Sequence, residues 1–144
     1  MKFKICIIGL GYVGLPLSLE FSKYYNVIGF DKDTQRVKEL NNFFDRNNEF
    51  EKSELKKFKN IKITSNKNFL KDCNIFIITV PTPVKKNNIP DLNPLKKSSE
   101  LVGRFLKKKD IVVYESTVYP GCTEDFCVPI LAKYSKLIYK KDFF

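Results

Sequence analysis

Histidine is absent from the 144 residues, and arginine is scarce: of 26 basic side chains only Arg36, Arg46 and Arg104 are arginine. The four cysteines, Cys6, Cys73, Cys122 and Cys127, are spaced neither as CxxC pairs nor as a dense framework. With no imidazole to complete a ligand set, no structural zinc site or other metal site is expected, and the thiols read as the reduced cysteines of an intracellular protein. The formal charge of +10 invites a nucleic-acid or anionic-membrane partner. Phosphate and base recognition favour the guanidinium fork, however, and the excess here is lysine, which reads as solvated surface charge. No nucleic-acid and no membrane partner is expected.

Long apolar runs are also missing. The longest, such as Ile75 to Ile78, is a fraction of a membrane span. The short apolar stretch at the N-terminus is interrupted by Gly9, Gly11 and Gly14 before any cleavage-like signal, so it does not read as a secretory leader and the expected location is the cytoplasm. There are no internal repeats and no low-complexity linker. With 43% hydrophobic and 14% aromatic residues, the length suits one domain that buries roughly two-thirds of its unfolded surface.

What is present is a recurrence of β-branched runs with room for helices between them. Strands are predicted at Lys4 to Ile8, Asn26 to Phe30, Ile61 to Thr64, Asn74 to Thr79 and Ile111 to Tyr114, with a sixth candidate at Lys136 to Tyr139. A helix is predicted over Tyr12 to Tyr24, with Val13, Leu17 and Phe21 as its buried stripe. Further helices are predicted at Thr34 to Asn41, N-capped by Asp33, at Pro94 to Lys108 with Leu95, Val102, Phe105 and Leu106 on one face, and at Thr123 to Tyr134, interrupted or begun late by Pro129. Phe43 to Lys59 reads as a charged, less regular connection. Strands that alternate with helices and look buried on both faces predict an α/β fold, a doubly wound, Rossmann-like parallel sheet. In such a sheet the strand carboxyl ends share one edge, and function is sought there.

The first strand runs into Gly9-Leu10-Gly11-Tyr12-Val13-Gly14, a GxGxxG at a strand-to-helix turn. Gly9 permits the turn, Gly11 leaves room for a pyrophosphate, and Gly14 lets helix and sheet approach. The helix N-terminus offers free N–H groups to the phosphates. Asp31 ends the second strand, where a carboxylate accepts hydrogen bonds from the adenosine ribose and repels a 2′-phosphate, which favours NAD. Lys32 and Arg36 leave NADP as the alternative. Two further loops, Val80-Pro81-Thr82-Pro83 and Glu115-Ser116-Thr117-Val118-Tyr119-Pro120-Gly121, leave carboxyl ends on the same edge. Each presents a hydroxyl that could meet the nicotinamide ribose or a catalytic water; capping of the loop itself accounts for Thr82 and Thr117 equally well.

The segments GLGYVGLP, TVPTP and ESTVYPG, in this order, resemble the N-terminal part of the UDP-glucose/GDP-mannose dehydrogenase family. ESTVYPG followed by CTEDFCVPIL is more similar to the members that oxidise UDP-N-acetylglucosamine or UDP-N-acetylgalactosamine for capsule and O-antigen synthesis. The resemblance implies oxidation of a sugar CH2OH to a carboxylate with two NAD+ in succession, through a covalent intermediate on a cysteine. It implies that Gly9, Gly11, Tyr12, Val13 and Gly14 hold the pyrophosphate, that Asp31 and Arg36 hold the adenosine ribose, and that Thr82 and Thr117 line the nicotinamide end. Thr117 is also the one candidate for a catalytic role, organising a water.

Family members are much longer, with a nucleophilic cysteine, a catalytic lysine and asparagine, a long central helix and a C-terminal UDP-sugar domain. None of the four cysteines here stands in the expected nucleophile context. The expectation is therefore the NAD-binding part of a UDP-N-acetylhexosamine 6-dehydrogenase, a truncated product or fragment that does not turn over substrate by itself. A UDP-glucose 6-dehydrogenase fragment and a non-catalytic NAD-binding module are the alternatives. Absent cover on apolar surface, Phe143 and Phe144 included, further leads one to expect self-association.

Overall fold

A computed structural model describes residues 3–84 and 89–144. Its centre is a five-stranded, all-parallel sheet in the order β3-β2-β1-β4-β5, with β1 at Lys4–Ile8, β2 at Asn26–Phe30, β3 at Ile61–Thr64, β4 at Ile75–Ile78 and β5 at Ile111–Tyr114. β4 is shorter than predicted by one residue at each end. The pairing nonetheless carries on through single bonds: Asn74 N–H donates to Lys4 O at 3.1 Å and Thr79 N–H to Ile8 O at 3.0 Å.

Alternation along the strands divides the core between the two faces. Cys6, Ile8, Phe76 and Ile78 point to one side, into a cluster with Leu95, Val102 and Leu131. Ile5, Ile7 and Ile77 point to the other, against Leu15, Leu19 and Leu40. Both faces are covered, as a sheet of β-branched runs requires. All four cysteines are buried in the first of these clusters, where burial pushes the Cys127 thiol up to about 11.

The helices depart from their predicted bounds for local reasons. α1 spans Gly14–Ser22 and buries Leu15, Ser18, Leu19 and Ser22, while Val13 is 51% exposed and Leu17 and Phe21 only flank the core. The buried stripe is thus rotated from the predicted one. Serine can sit against the sheet because its hydroxyl is satisfied inside the helix: Ser18 donates to Gly14 O at 2.6 Å and Ser22 to Leu19 O at 2.7 Å. α2 spans Thr34–Asn41 as predicted, with the Asp33 carboxylate accepting the N–H groups of Gln35 and Arg36. The charged connection after it holds one short helix, α3 at Lys52–Leu55, and a tight 3₁₀ turn at Lys67–Asp72 follows β3.

α4, Asn93–Gly103, ends five residues before its predicted end, and its buried face is Leu95, Ser98, Ser99 and Val102. Gly103 lies against Leu131 and Tyr134 of α5, Val128–Ser135, where an added Cβ would come within 2.9 Å of the tyrosine side chain. Before α5, Thr123–Cys127 forms one π-helical turn, closed by Val128 N–H to Thr123 O. Pro129 lacks the N–H that would reach the Asp125 carbonyl in an α-helix, and the wider turn takes up the mismatch.

The sixth strand does not form. Lys136 takes a left-handed φ of 60° that ends α5, and the Asp142 carboxylate and N–H both bond Ile138, turning the chain back. Phe143 is then carried into the core at 1% exposure, against the expectation that it lacked cover, whereas Phe144 is 52% exposed. Phe144 pairs its backbone with the open side of β5, donating to Asp110 O at 3.1 Å and accepting from Val112 N–H at 2.7 Å. Among the described residues no helix is long and apolar enough to cross a membrane.

Candidate functional site

β1 and β4 lie side by side, but the chain leaves them in opposite directions, β1 toward β2 and β4 toward β5. Their carboxyl ends therefore open a crevice, the switch point at which ligands enter this kind of sheet. A cavity of about 510 Å³ occupies it. Its walls include Gly9, Gly11, Asp31 and Arg36, together with Thr79 and Val80 after β4 and Pro94, Lys97, Ser98 and Leu101 of α4.

The glycine turn is held from beneath. Gly9 has φ +99°, a conformation closed to most side chains, and its N–H donates to Phe30 O at 2.8 Å. Its carbonyl accepts the Thr79 hydroxyl at 2.7 Å. Gly14 presses on the same carbonyl: a Cβ there would stand 1.7 Å from Gly9 O and 2.5 Å from Thr79 Oγ1. At Gly11 the situation is reversed, since an added Cβ would find no atom within 4 Å. Tyr12 and Val13 are exposed and, like Gly14, do not line the cavity; α1 begins just after them with no side chain capping its N-terminus. Leu15 N–H already donates to Gly11 O at 3.1 Å and Pro16 has no N–H, so what this end offers an anion is the N–H groups ahead of Leu15.

Asp31 enters at the end of β2. Its Oδ2 accepts Leu10 N–H at 2.8 Å and its Oδ1 accepts Asp33 N–H at 2.9 Å, so the carboxylate is fixed and keeps a free lone pair on each oxygen. Arg36 is 4% exposed: Nε donates to Leu10 O at 3.0 Å, Nη1 is ion-paired with Asp45 Oδ1 at 2.8 Å without hydrogen-bond geometry, and Nη2 is buried with neither a hydrogen bond nor an ion pair among the described residues. A carboxylate with spare lone pairs, a buried guanidinium nitrogen without a partner and open space over Gly11 fit the diol and pyrophosphate of a dinucleotide. Asp33 and Glu39 both bond Arg46 at the outer rim; the backbone N–H of Arg36, aided by Arg46, holds the Asp33 carboxyl below the usual range, and Arg46 holds that of Glu39 below it.

The two hydroxyl loops meet each other. Thr82 Oγ1 donates to Thr117 O at 2.6 Å and Ser116 Oγ to Val80 O at 2.6 Å, which ties the TVPTP and ESTVYPG segments together. The Thr82 hydroxyl spends its proton on this loop bond, and Thr117 is exposed. Neither residue lines the cavity described above. Replacing Thr82 by valine removes one exposed hydrogen bond and should cost about 0.5 kcal/mol, read as a slightly lower urea midpoint.

Sequence reasoning passed over Thr79, the α4 face and Asp45. The α4 residues recur at Pro94, Lys97, Ser98 and Leu101, a helical spacing that could have been read as one face. Asp45 left only the faint signal of an acid between aromatic residues. It is 3% exposed, and although burial pushes its carboxyl up, Arg36 and the N–H groups of Asn47 and Glu49 outweigh this and hold it below the usual carboxylate range. A lowered folded value means stability that is present above the unfolded pKa and lost as pH falls through the folded one. Asp45→Asn should flatten that acid limb and cost about 3 kcal/mol near neutrality, because the Arg36 charge is left buried without its partner; thermal melts across pH check both.

The family model for the UDP-glucose/GDP-mannose dehydrogenase family, NAD binding domain, matches residues 3–143. The chain belongs to this family. Its NAD-binding domain is the part represented here, and NAD is the cofactor. UDP-N-acetyl-D-glucosamine 6-dehydrogenase of Salmonella typhi is 55% identical over 143 residues, which are 99% of this chain and 34% of that protein. Protein CapL of Staphylococcus aureus is 54% identical over 144 residues, 100% of this chain and 34% of that protein. Among solved structures, NDP-N-acetyl-D-galactosaminuronic acid dehydrogenase of Methanosarcina mazei superposes with a TM-score of 0.90 at 26% identity, covering 99% of this chain and 33% of that one. The chain thus spans about a third of the length of the family members it matches.

Proposed function

We propose that this chain is the coenzyme-holding part of a nucleotide-sugar 6-dehydrogenase that oxidises a UDP-N-acetylhexosamine to its uronic acid for surface polysaccharide synthesis. The observation that carries the proposal is the crevice at β1 and β4, where an uncapped α1 and the open space at Gly11 stand beside the fixed carboxylate of Asp31. The 55% identity to a UDP-N-acetyl-D-glucosamine 6-dehydrogenase supports the choice of sugar.

In this reading the N–H groups from Gly11 to Gly14, those of Tyr12 and Val13 among them, bind the pyrophosphate. The Asp31 oxygens and Arg36 Nη2 bind the adenosine ribose, and Asp31 disfavours a 2′-phosphate. NAD supplies the hydride acceptor. Thr82 fixes the Thr117 carbonyl, which leaves the exposed Thr117 hydroxyl to face the nicotinamide end and orient a water. The location is the cytoplasm, and no nucleic acid or membrane is a partner. The UDP-sugar meets residues beyond these, and the buried cysteines supply no nucleophile. Self-association at the open side of β5, where Ile111 and Phe144 are exposed, belongs to the same reading and is checked by sedimentation at several concentrations.

Calorimetric titration with NAD+ and NADP+ tests the cofactor assignment: NAD+ binds and NADP+ binds more weakly. Incubation of the 144-residue chain with NAD+ and UDP-N-acetylglucosamine is expected to give no NADH. Sustained NADH formation would overturn the view that this part holds coenzyme without performing the oxidation.

A further inference from the structure

We propose that Asp45 is a positioning residue of the coenzyme site, acting through Arg36 to aim the Gly11 N–H at the pyrophosphate. The inference rests on the NAD reading of the crevice and extends it to a loop that lies outside the glycine motif. Its basis is the planarity of the peptide unit, which makes the direction of a carbonyl fix the direction of the N–H across the same bond.

Two successive peptide planes of the glycine turn are held by side chains. In the Gly9–Leu10 unit, the carbonyl accepts Thr79 Oγ1 at 2.7 Å and the N–H donates to Asp31 Oδ2 at 2.8 Å. In the Leu10–Gly11 unit, the carbonyl accepts Arg36 Nε at 3.0 Å. The N–H on the opposite edge of that second plane belongs to Gly11, over which the space is open. Holding the Leu10 carbonyl therefore sets where the Gly11 N–H points.

Arg36 is in turn set by Asp45. The side chains are 5% and 0% exposed, and Nη1 lies 2.8 Å from Oδ1. Asp45 is anchored independently of the arginine, since its carboxylate also accepts the N–H groups of Asn47 at 3.1 Å, Glu49 at 3.0 Å and Phe50 at 3.3 Å. The loop that follows α2 thus holds a carboxylate rigidly, the carboxylate holds the guanidinium, and the guanidinium holds the second peptide of the phosphate-binding turn. A long arginine side chain reaching 26 residues back along the chain would otherwise retain several rotamers.

The test combines NAD+ titration with the backbone amide resonance of Gly11 in ¹⁵N-labelled protein. Asp45→Asn is expected to weaken NAD+ binding by about tenfold or more, the scale of one hydrogen bond to a charged group, and to shift the Gly11 amide before any coenzyme is added. A general loss of stability would lower the melting temperature without singling out that amide. Asp45→Asn that is folded, binds NAD+ within twofold of the parent and leaves the Gly11 amide in place overturns the proposal. If Asp45→Asn does not fold, Arg36→Lys is judged by the Gly11 amide without coenzyme, because it keeps a charge beside Asp45 while removing Nε from Leu10, and an unmoved amide overturns the proposal. A parent chain that fails to bind NAD+ sinks the NAD reading alone, and the Gly11 amide then still decides whether Asp45 orients the turn.

Discussion

Gly14→Ala should abolish coenzyme binding by dismantling the turn, whereas Gly11→Ala should abolish it and leave the fold intact. The two positions stand three residues apart in one motif, yet their surroundings are opposite. A methyl group on residue 14 would lie 1.7 Å from the Gly9 carbonyl oxygen, 2.9 Å from its carbon and 2.5 Å from the Thr79 hydroxyl. Two of these atoms are backbone and cannot rotate away. Gly9 is already held at φ +99°, and its carbonyl is held by Thr79, so relief requires moving α1 off the sheet. Overpacking ordinarily costs 1–3 kcal/mol, and a clash with backbone on this scale should cost at least about 3 kcal/mol out of a total near 5–15. At residue 11 the methyl meets nothing within 4 Å and occupies the space over the helix N-terminus, so stability should stay within about 0.5 kcal/mol while NAD+ affinity falls more than about tenfold. Urea unfolding beside calorimetric titration separates the cases. A Gly11→Ala protein that binds like the parent would remove the pyrophosphate from this crevice.

The same contrast explains what the sequence disclosed of the fold. Four of the five strands fall on their predicted bounds: β1 and β2 are apolar runs buried on both faces, and β3 and β5, only partly buried at the sheet edges, still carry the β-branched residues that local composition expresses directly. The α1 stripe was misread because serine counts as polar in a periodicity, while Ser18 and Ser22 satisfy their hydroxyls on carbonyls one turn back and pack as small residues. The run Lys136 to Tyr139 carries the composition of a strand. A left-handed Lys136 and the turn pinned by Asp142 override it, and the gain is the burial of Phe143. Local propensity had no means of registering that tertiary choice.

For the site, the residues visible in advance were those whose role is written in backbone geometry or in spacing: the glycines, and the acid at the tip of β2. Arg36 was expected at the ribose only through the family resemblance, and its bonds to Leu10 and Asp45 were not foreseeable, since they depend on the course of the loop after α2. Thr79 sits two residues before the Pro81 that drew attention to its loop, and its bond to Gly9 follows only from the register of β1 against β4. Helical contributions from Pro94, Lys97, Ser98 and Leu101 required knowing which way α4 packs.

Asp31→Ala should lower NAD+ affinity by at least one and up to about two orders of magnitude, the equivalent of about 1.5–3 kcal/mol for hydrogen bonds to a charged acceptor. Two effects act together. The carboxylate oxygens each retain a lone pair for a ribose hydroxyl, and both contacts vanish with the side chain. The Leu10 N–H also loses its acceptor, which frees the first of the two peptide planes that shape the phosphate-binding turn. The second plane keeps Arg36 on the Leu10 carbonyl, so the turn should loosen without collapsing. Selectivity between coenzymes divides these contributions. Removing the carboxylate takes away its repulsion of a 2′-phosphate, and Lys32, Lys67 and Lys97 line the same cavity, so NADP+ should lose much less affinity than NAD+. Parallel titrations of parent and variant with both coenzymes give the ratio. An equal loss for both would assign Asp31 to the turn alone, and no loss for either would take the ribose away from β2.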